Sequence, residues 1–126
     1  MRQCLDVGHE QFAGRLAGGV AAWEASGRAP ASIPLVGVAD LRGVVVDVRQ
    51  SDEFARGHVP AAVNLELAAT RDEPLPMRPM TVMCGHGERA MTGASILAAR
   101  GYDVDVLGGG PDDWASAAGQ CLVVGP

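Results

Sequence analysis

Residues 84–89 carry the side chains of this sequence that are best suited to chemistry. They read Cys-Gly-His-Gly-Glu-Arg and lie between an apolar run and a helical pattern. Loops at the carboxyl ends of strands form the ligand sites of open α/β sheets. The two glycines let the backbone curl so that successive N–H groups point inward, and the following helix adds partial positive charge. Because a thiolate is the reactive form of cysteine, these surroundings predict that Cys84 is a nucleophile.

The backbone around Cys84 would stabilise either a terminal persulfide anion or an oxyanion, so the transferred group stays open at this point. Arg89 adds a permanent charge and a forked donor. The alternative is that Cys84 is a buried, unreactive cysteine at a strand end, because free cysteines are commonly buried. The combination of strand, Gly-x-Gly, arginine and helix favours the reactive interpretation.

A second polar group, Asp47 with Arg49, ends the apolar run at residues 44–48. A carboxylate in such a position is costly unless it is hydrogen-bonded. We expect Asp47 to bind backbone amides or Arg49 near the mouth of the site, as catalytic support or as a structural ion pair. His58 precedes Val59-Pro60 and is expected to fix a turn rather than to do chemistry.

Short apolar runs alternate with helical patterns through most of the chain and so position these residues. Runs at 44–48, 81–84 and 104–107 predict buried parallel strands, and residues 33–36 a weaker extended piece. Helices are predicted at 51–56, 90–100 and 111–118, and three prolines make residues 71–80 a loop. Ser51 is the expected N-cap of the first helix. The second is expected to bury Met91, Ala94, Leu97 and Ala98. The pattern predicts an α/β architecture with a mainly parallel sheet.

Composition narrows the possible partners. The chain has 126 residues, with ten arginines and no lysine against 15 acidic residues, and a net charge of -5. This balance and the 4% aromatic content argue against nucleic-acid binding. No apolar run reaches the roughly 20 residues of a membrane span, and the first ten residues do not resemble a signal peptide.

The three cysteines are isolated in sequence, and no disulfide framework, metal site or cofactor is predicted. Cys4 is expected to be partly exposed and to have no chemical role. Cys121 is expected to pack as a small hydrophobic residue; the alternative is a resolving thiol that forms a disulfide with Cys84. A reducing, cytoplasmic setting fits this cysteine usage best.

The first part of the chain differs from the rest. Five glycines interrupt residues 1–34, with short helices expected at 6–12 and 20–26. Residues 16–23 and 107–114 share a leucine, two adjacent glycines and a tryptophan at the same spacing. Such an echo is typical of duplicated modules. We therefore predict that residues 1–34 are the trailing segment or linker of an upstream module and that residues 35–126 form a domain.

Several of these stretches together resemble the rhodanese family of sulfurtransferases. They are residues 44–54, the Gly-His-Val-Pro run at 57–60, the loop at 84–89, and residues 101–114 with their Leu-Gly-Gly-Gly…Trp ending. The resemblance covers about residues 35–118. It implies a rhodanese fold, with a central parallel sheet flanked by helices on both faces.

The resemblance also implies sulfane-sulfur transfer in two steps. Cys84 would attack thiosulfate or a persulfide, and the Cys84 persulfide would pass its outer sulfur to cyanide or a thiol. Backbone N–H groups of the anion cradle would bind the substrate; its members are Gly85, His86, Gly87, Glu88 and Arg89. The sequence departs from the family pattern in three places. Ala61 replaces a common glycine, and Glu88 brings a negative side chain to the cradle. The proline-rich stretch at 74–79 replaces the usual segment before the central strand.

Two other functions stay open. A phosphatase or arsenate reductase on this fold would have five residues between cysteine and arginine, whereas this loop has four, which favours sulfur. A non-catalytic binding or regulatory module is the other alternative, since many such domains lack the nucleophile that this chain keeps. Residues 1–34 resemble the tail that precedes the rhodanese module in fusions with a metallo-β-lactamase-like domain or in tandem rhodanese proteins. We therefore expect a covalently linked upstream module, and the chain to be the C-terminal piece of such a protein.

Overall fold

The computed structural model describes residues 13–126, which fall into two compact units, 13–32 and 33–126. The first contains one helix, α1 (Gly19–Ala25), close to the prediction of 20–26. The expected helix at 6–12 and Cys4 lie outside the described residues. The assignment of residues 1–34 to an upstream module stays a prediction.

The second unit alternates strands with helices. In chain order it contains β1 (Leu35–Val36), β2 (Val44–Asp47), α2 (Ser51–Arg56), β3 (Val63–Asn64), β4 (Met80–Met83), α3 (Glu88–Ala99), β5 (Val104–Leu107) and α4 (Pro111–Ala118). Short 3-10 helices lie at Val38–Asp40 and Leu67–Arg71. The predicted elements are present, and the two-residue strand β3 was not predicted. Within residues 13–126, no helix is long and apolar enough to cross a membrane.

The strands form one sheet in the order β1-β5-β4-β2-β3, and every neighbouring pair is parallel. Strand β4 is central, with Val82 opposite Val46 on one side and Val106 on the other. Because all strands run the same way, their carboxyl ends meet at one edge. The segments that follow β2, β4 and β5 therefore lie side by side.

Alternate residues of each strand point to opposite faces of the sheet, and helices pack against both faces. One face packs against α3 in a core that includes Val46, Val82, Val106, Ala94 and Leu97. The other face packs against α4 through Met83, Leu107 and Trp114. The strands whose side chains are mostly apolar on both faces are therefore buried on both faces. This confirms the predicted α/β fold, a parallel sheet flanked by helices.

The predicted cap of α2 was wrong. Gln50 is the N-cap, and its backbone N–H donates to Glu53 at 3.2 Å. Ser51 is the first helical residue, and its N–H donates to Glu66, which lies far along the chain, at 2.9 Å. Because that partner comes from tertiary structure, sequence spacing around Ser51 did not reveal it.

The predicted buried face of α3 was wrong in part. Ala94 and Leu97 are buried, but Met91 is 37% exposed and Ala98 is exposed. Ala90 and Gly93 are buried in their place. The reason is a close approach at Gly93, where a Cβ would lie 3.2 Å from Cγ1 of Val48. The buried face of α3 therefore consists of three small residues and Leu97, and it does not include Met91.

Two further residues depart from expectation or from ordinary geometry. Cys121, expected to be packed, is exposed, because the chain after α4 runs along the surface. Ala61 has φ 62°, in the left-handed region, where its Cβ crowds the backbone. It stands where the family pattern has glycine, and the conformation explains that preference.

Candidate active site

Cys84 follows β4 directly and precedes α3, which begins at Glu88. The residue is 1% exposed. Its Sγ accepts a hydrogen bond from the backbone N–H of Gly87 at 3.0 Å. Gly87 has φ 119°, a conformation that side-chain-bearing residues rarely adopt, and it is the N-cap of α3. The glycine thus turns an amide at a helix N-terminus toward the sulfur.

The guanidinium of Arg89 is held in a two-pronged ion pair by Glu53 of α2. Its two terminal nitrogens donate to the two carboxylate oxygens at 2.7 and 3.0 Å. This bond raises the pKa of Arg89, and the nearby Cys84 adds a smaller electrostatic contribution in the same direction. The same bond lowers the pKa of Glu53 to about 2, with a further contribution from the N–H of Gln50. The forked donor predicted for an anion is therefore already occupied by a carboxylate.

Asp47 and Arg49 form a buried ion pair at the end of β2. Asp47 is fully buried, and its carboxylate accepts from Nε of Arg49 at 3.0 Å and from a terminal nitrogen at 2.7 Å. The same guanidinium donates to the carbonyl of Gly57 at 2.8 Å. Asn64 binds the carbonyl oxygens of both residues. The pair ties β2 to the end of α2, and Arg49 also lines the cleft described next.

An open cleft of about 690 Å³ lies beside the loop. Its lining comes from Arg49, Glu53 and Arg56 on one side, Gly85 and His86 in the middle, and residues 109–113 on the other. Cys84 does not line the cleft; the two residues after it do.

The predicted cradle residues are divided between cleft and solvent. Gly85 and His86 line the cleft, and the amide of Gly87 faces the sulfur. Glu88 is exposed and does not line the cleft, so its carboxylate does not face into the pocket. His58 lies elsewhere, with Nδ1 3.0 Å from the carbonyl of Phe54 and its ring stacked on Phe54. Among residues 13–126, no three metal-ligating side chains come together.

Sequence reasoning missed the partner of Arg89 and one side of the cleft. In the sequence, Glu53 is one residue of the stretch at 44–54, and the pattern indicates no role for Gly110 or Asp113. The strand order supplies the missing information, because β5 lies beside β4 and the turns after both strands must meet. That adjacency was not available from the spacing of residues along the chain.

Comparison with known sequences fits this geometry. The profile of the Rhodanese-like domain family matches residues 37–117. A thiosulfate sulfurtransferase GlpE of Pseudomonas syringae pv. syringae is 33% identical over 86 residues, covering 65% of this chain and 81% of the relative. A protein of the same name from Shewanella oneidensis is 34% identical over 88 residues, covering 66% of this chain and 87% of the relative.

Solved structures show the same fold. A rhodanese-related protein from Thermoplasma volcanium has a TM-score of 0.64 at 23% identity, covering 72% of this chain and 98% of that one. A thiosulfate sulfurtransferase from Pseudomonas aeruginosa has a TM-score of 0.65 at 32% identity. The match covers 74% of this chain but 20% of that longer one.

The chain shares its fold with these solved structures. Within that fold, the chain has a buried cysteine after its central strand, followed by a glycine-rich turn into a helix. The chain belongs to the rhodanese-like domain family. Its named relatives confirm the predicted class of enzyme, a rhodanese-type sulfurtransferase.

Proposed function

We propose that the chain moves a sulfane sulfur from a donor to a thiophilic acceptor through a persulfide on Cys84. The observation that carries this proposal is the Gly87 N–H, which donates to Sγ at 3.0 Å at the start of a 12-residue helix. Hydrogen bonds to ionised acceptors are roughly twice as strong as neutral ones, and a helix N-terminus favours negative charge. These features support an anionic sulfur at this position.

In the first step, the Cys84 thiolate attacks the outer sulfur of the donor. With thiosulfate, the bond between the two sulfurs breaks, and sulfite leaves with the bonding electron pair. With an organic persulfide, the leaving group is the thiolate of the organic part. In both cases a bond forms between Sγ and the transferred sulfur.

In the second step, an acceptor attacks the outer sulfur of the Cys84 persulfide. Cyanide gives thiocyanate, and a thiolate gives a new persulfide. The sulfur–sulfur bond of the enzyme breaks, and its electron pair returns to Cys84 as thiolate. No external oxidant or reductant enters the cycle, because each bond formed replaces one broken.

The surrounding residues have positioning and binding roles in this proposal. Backbone N–H groups from Gly85 through Arg89 hold the anionic sulfur, with His86 facing the cleft that admits the donor. Arg89 contributes its charge from a fixed place, because Glu53 holds the guanidinium. Asp47 supports the site by holding Arg49 at the cleft.

Three features support sulfur rather than phosphate or arsenate as the transferred group. Four residues separate Cys84 from Arg89, one fewer than the oxyanion-binding relatives have. The guanidinium fork that would grip an oxyanion is occupied by Glu53. Cys84 is 1% exposed, which suits transfer of a single terminal atom better than attack on a bulky tetrahedral centre.

We further propose a cytoplasmic setting and a covalently linked upstream module, metallo-β-lactamase-like or rhodanese-like. The echo between residues 16–23 and 107–114 supports the linked module. In both places the glycines lie at the start of a helix that contains the tryptophan. The two tryptophans differ in burial: Trp114 is 8% exposed, and Trp23 is 40% exposed.

The experiment that tests this function is sulfur loading. The protein is incubated with thiosulfate and, separately, with glutathione persulfide, and intact mass is measured for one added sulfur. We expect loading of the wild type and of Cys121→Ser, a matched control at an exposed cysteine. We expect none with Cys84→Ser.

Other outcomes identify the alternatives. A wild type that takes up no sulfur from either donor contradicts the proposal. Cys84-dependent hydrolysis of an aryl phosphate would support the phosphatase instead. Absence of both reactions, with binding of a partner module, would support a non-catalytic role.

A further inference from the structure

The turn between β5 and α4, residues 108–110, packs directly on the loop that follows Cys84. A Cβ built on Gly110 would lie 2.2 Å from the carbonyl oxygen of Gly85 and 3.1 Å from its carbonyl carbon. Both are backbone atoms, which cannot swing away as a flexible side chain can. Gly110 itself has φ -119°, which any residue can adopt. Glycine is therefore required at 110 for space and not for conformation.

The contact fixes the orientation of one peptide plane beside the nucleophile. The described residues include no cis peptide bond, so the N–H of His86 points opposite to the carbonyl of Gly85. With that carbonyl directed at Gly110, the amide of His86 is directed away from Gly110. The next amide, that of Gly87, donates to Sγ of Cys84. Gly110 thus packs against the peptide between Gly85 and His86. This is the first peptide of the turn that directs the Gly87 N–H to the sulfur.

Asp113 holds Gly110 in place. Its Oδ2 accepts the N–H of Gly110 at 2.8 Å. The next residue along α4, Trp114, is buried in the core of the second face with Met83 and Leu107. The turn is therefore tied to a side chain on a helix that the core fixes, and it cannot retreat without breaking the bond to Asp113.

We infer that Gly110 and Asp113 are positioning residues for sulfur transfer: they hold the Cys84 loop in the curled form that binds an anionic sulfur. The inference rests on the proposed function, and it adds residues that act through Gly85 without touching the transferred atom. A side chain at 110 displaces the Gly85 carbonyl, and loss of the Asp113 carboxylate releases the turn. Either change loosens the loop and slows loading of Cys84.

The same turn offers a matched control. The three atoms nearest to a Cβ on Gly108 would all belong to the side chain of Leu35, the first at 3.5 Å, which is ordinary contact with an exposed residue. We expect Gly110→Ala to lower the rate constant of sulfur loading at saturating donor at least about tenfold, which corresponds to about 1.4 kcal/mol. Gly108→Ala should load within about twofold of wild type at equal helix content.

A second pair keeps the test valid if Gly110→Ala fails to fold. Asp113→Asn keeps an oxygen that can accept the N–H of Gly110, whereas Asp113→Ala does not. We expect the alanine variant to load several-fold more slowly than the asparagine variant, with the difference in the rate constant and not in the donor concentration for half-maximal rate. If Asp113 only stabilised the fold, the alanine variant would have a lower melting temperature, but its rate constant of loading would match that of the asparagine variant.

A second measurement separates failure of this inference from failure of the proposed function. Hydrogen exchange of the Gly87 amide, followed by NMR, reports its hydrogen bond to Sγ of Cys84 without any sulfur donor. We expect this exchange to be faster in Gly110→Ala and unchanged in Gly108→Ala. Equal loading and equal exchange rates in the two folded variants would overturn the inference. A wild type that does not load, with the expected difference in exchange between the two variants, would retain the inference and contradict the transfer function alone.

Discussion

The pair between Glu53 and Arg89 joins α2 to the Cys84 loop, and Glu53→Gln removes its charge while keeping the shape of the side chain. Both carboxylate oxygens accept from the guanidinium, at 2.7 and 3.0 Å. Glutamine keeps one acceptor and loses the ion pair. We therefore expect a lower free energy of unfolding for this variant at neutral pH.

The structure sets the size of the effect. A pKa of about 2 in place of the ordinary 4.5 corresponds to an upper value of about 3 kcal/mol at neutral pH. The side chains of Arg89 and Glu53 are 40% and 30% exposed, so solvent screens the pair. We expect about 1 kcal/mol to be measurable.

The sign of the pH dependence follows from the lowered pKa. The stabilisation is complete above about pH 5 and is lost as pH falls through the window from 4.5 toward 2, where Glu53 becomes protonated in the folded state. Urea unfolding at pH 7 and at pH 3 measures both points. The difference between wild type and Glu53→Gln should be larger at pH 7 than at pH 3.

A matched control is Glu66→Gln. Glu66 has its pKa lowered by the N–H of Ser51 and has no guanidinium partner among residues 13–126. This variant should lose less stability at pH 7 than Glu53→Gln. Equal losses in the two variants, or a Glu53→Gln difference that does not change with pH, would refute the assignment of the stabilisation to the ion pair.

Two further predictions concern the backbone and the buried charges. Ala61→Gly should raise the free energy of unfolding by up to about 1 kcal/mol, because glycine removes the crowding of the Cβ at φ 62°. The greater entropy of glycine in the unfolded chain offsets part of this gain. A lower midpoint of urea unfolding than in the wild type would contradict the prediction. Asp47→Asn should lower the free energy of unfolding by about 3 kcal/mol, because it leaves the guanidinium of Arg49 buried without its counter-charge. A decrease below about 1 kcal/mol in urea unfolding would show that the fold does not require the pair.

Local sequence determined most of the elements. Strand β5 and helix α4 have the predicted bounds, because a β-branched apolar run and a Pro-to-Gly helical segment are local signals that need no partner. The position of Cys84 between a buried strand and a helix was predictable for the same reason.

Errors arose where the deciding partner is distant in sequence. Gln50 is the cap of α2, and Ser51 binds Glu66 instead. The buried face of α3 is set by close packing at Gly93 against Val48, which the helical period alone could not reveal. In each case a contact across the fold outweighed a local preference.

The sequence by itself determined that a cysteine at a strand end is followed by a glycine-rich turn and a helix, which is enough to predict a stabilised sulfur nucleophile. Only the tertiary structure decided what surrounds it. It placed Glu53 on Arg89 and packed Gly110 on the carbonyl of Gly85. The physical reason is the strand order, since β4 lies between β2 and β5 and the parallel sheet brings the segments after all three to one edge.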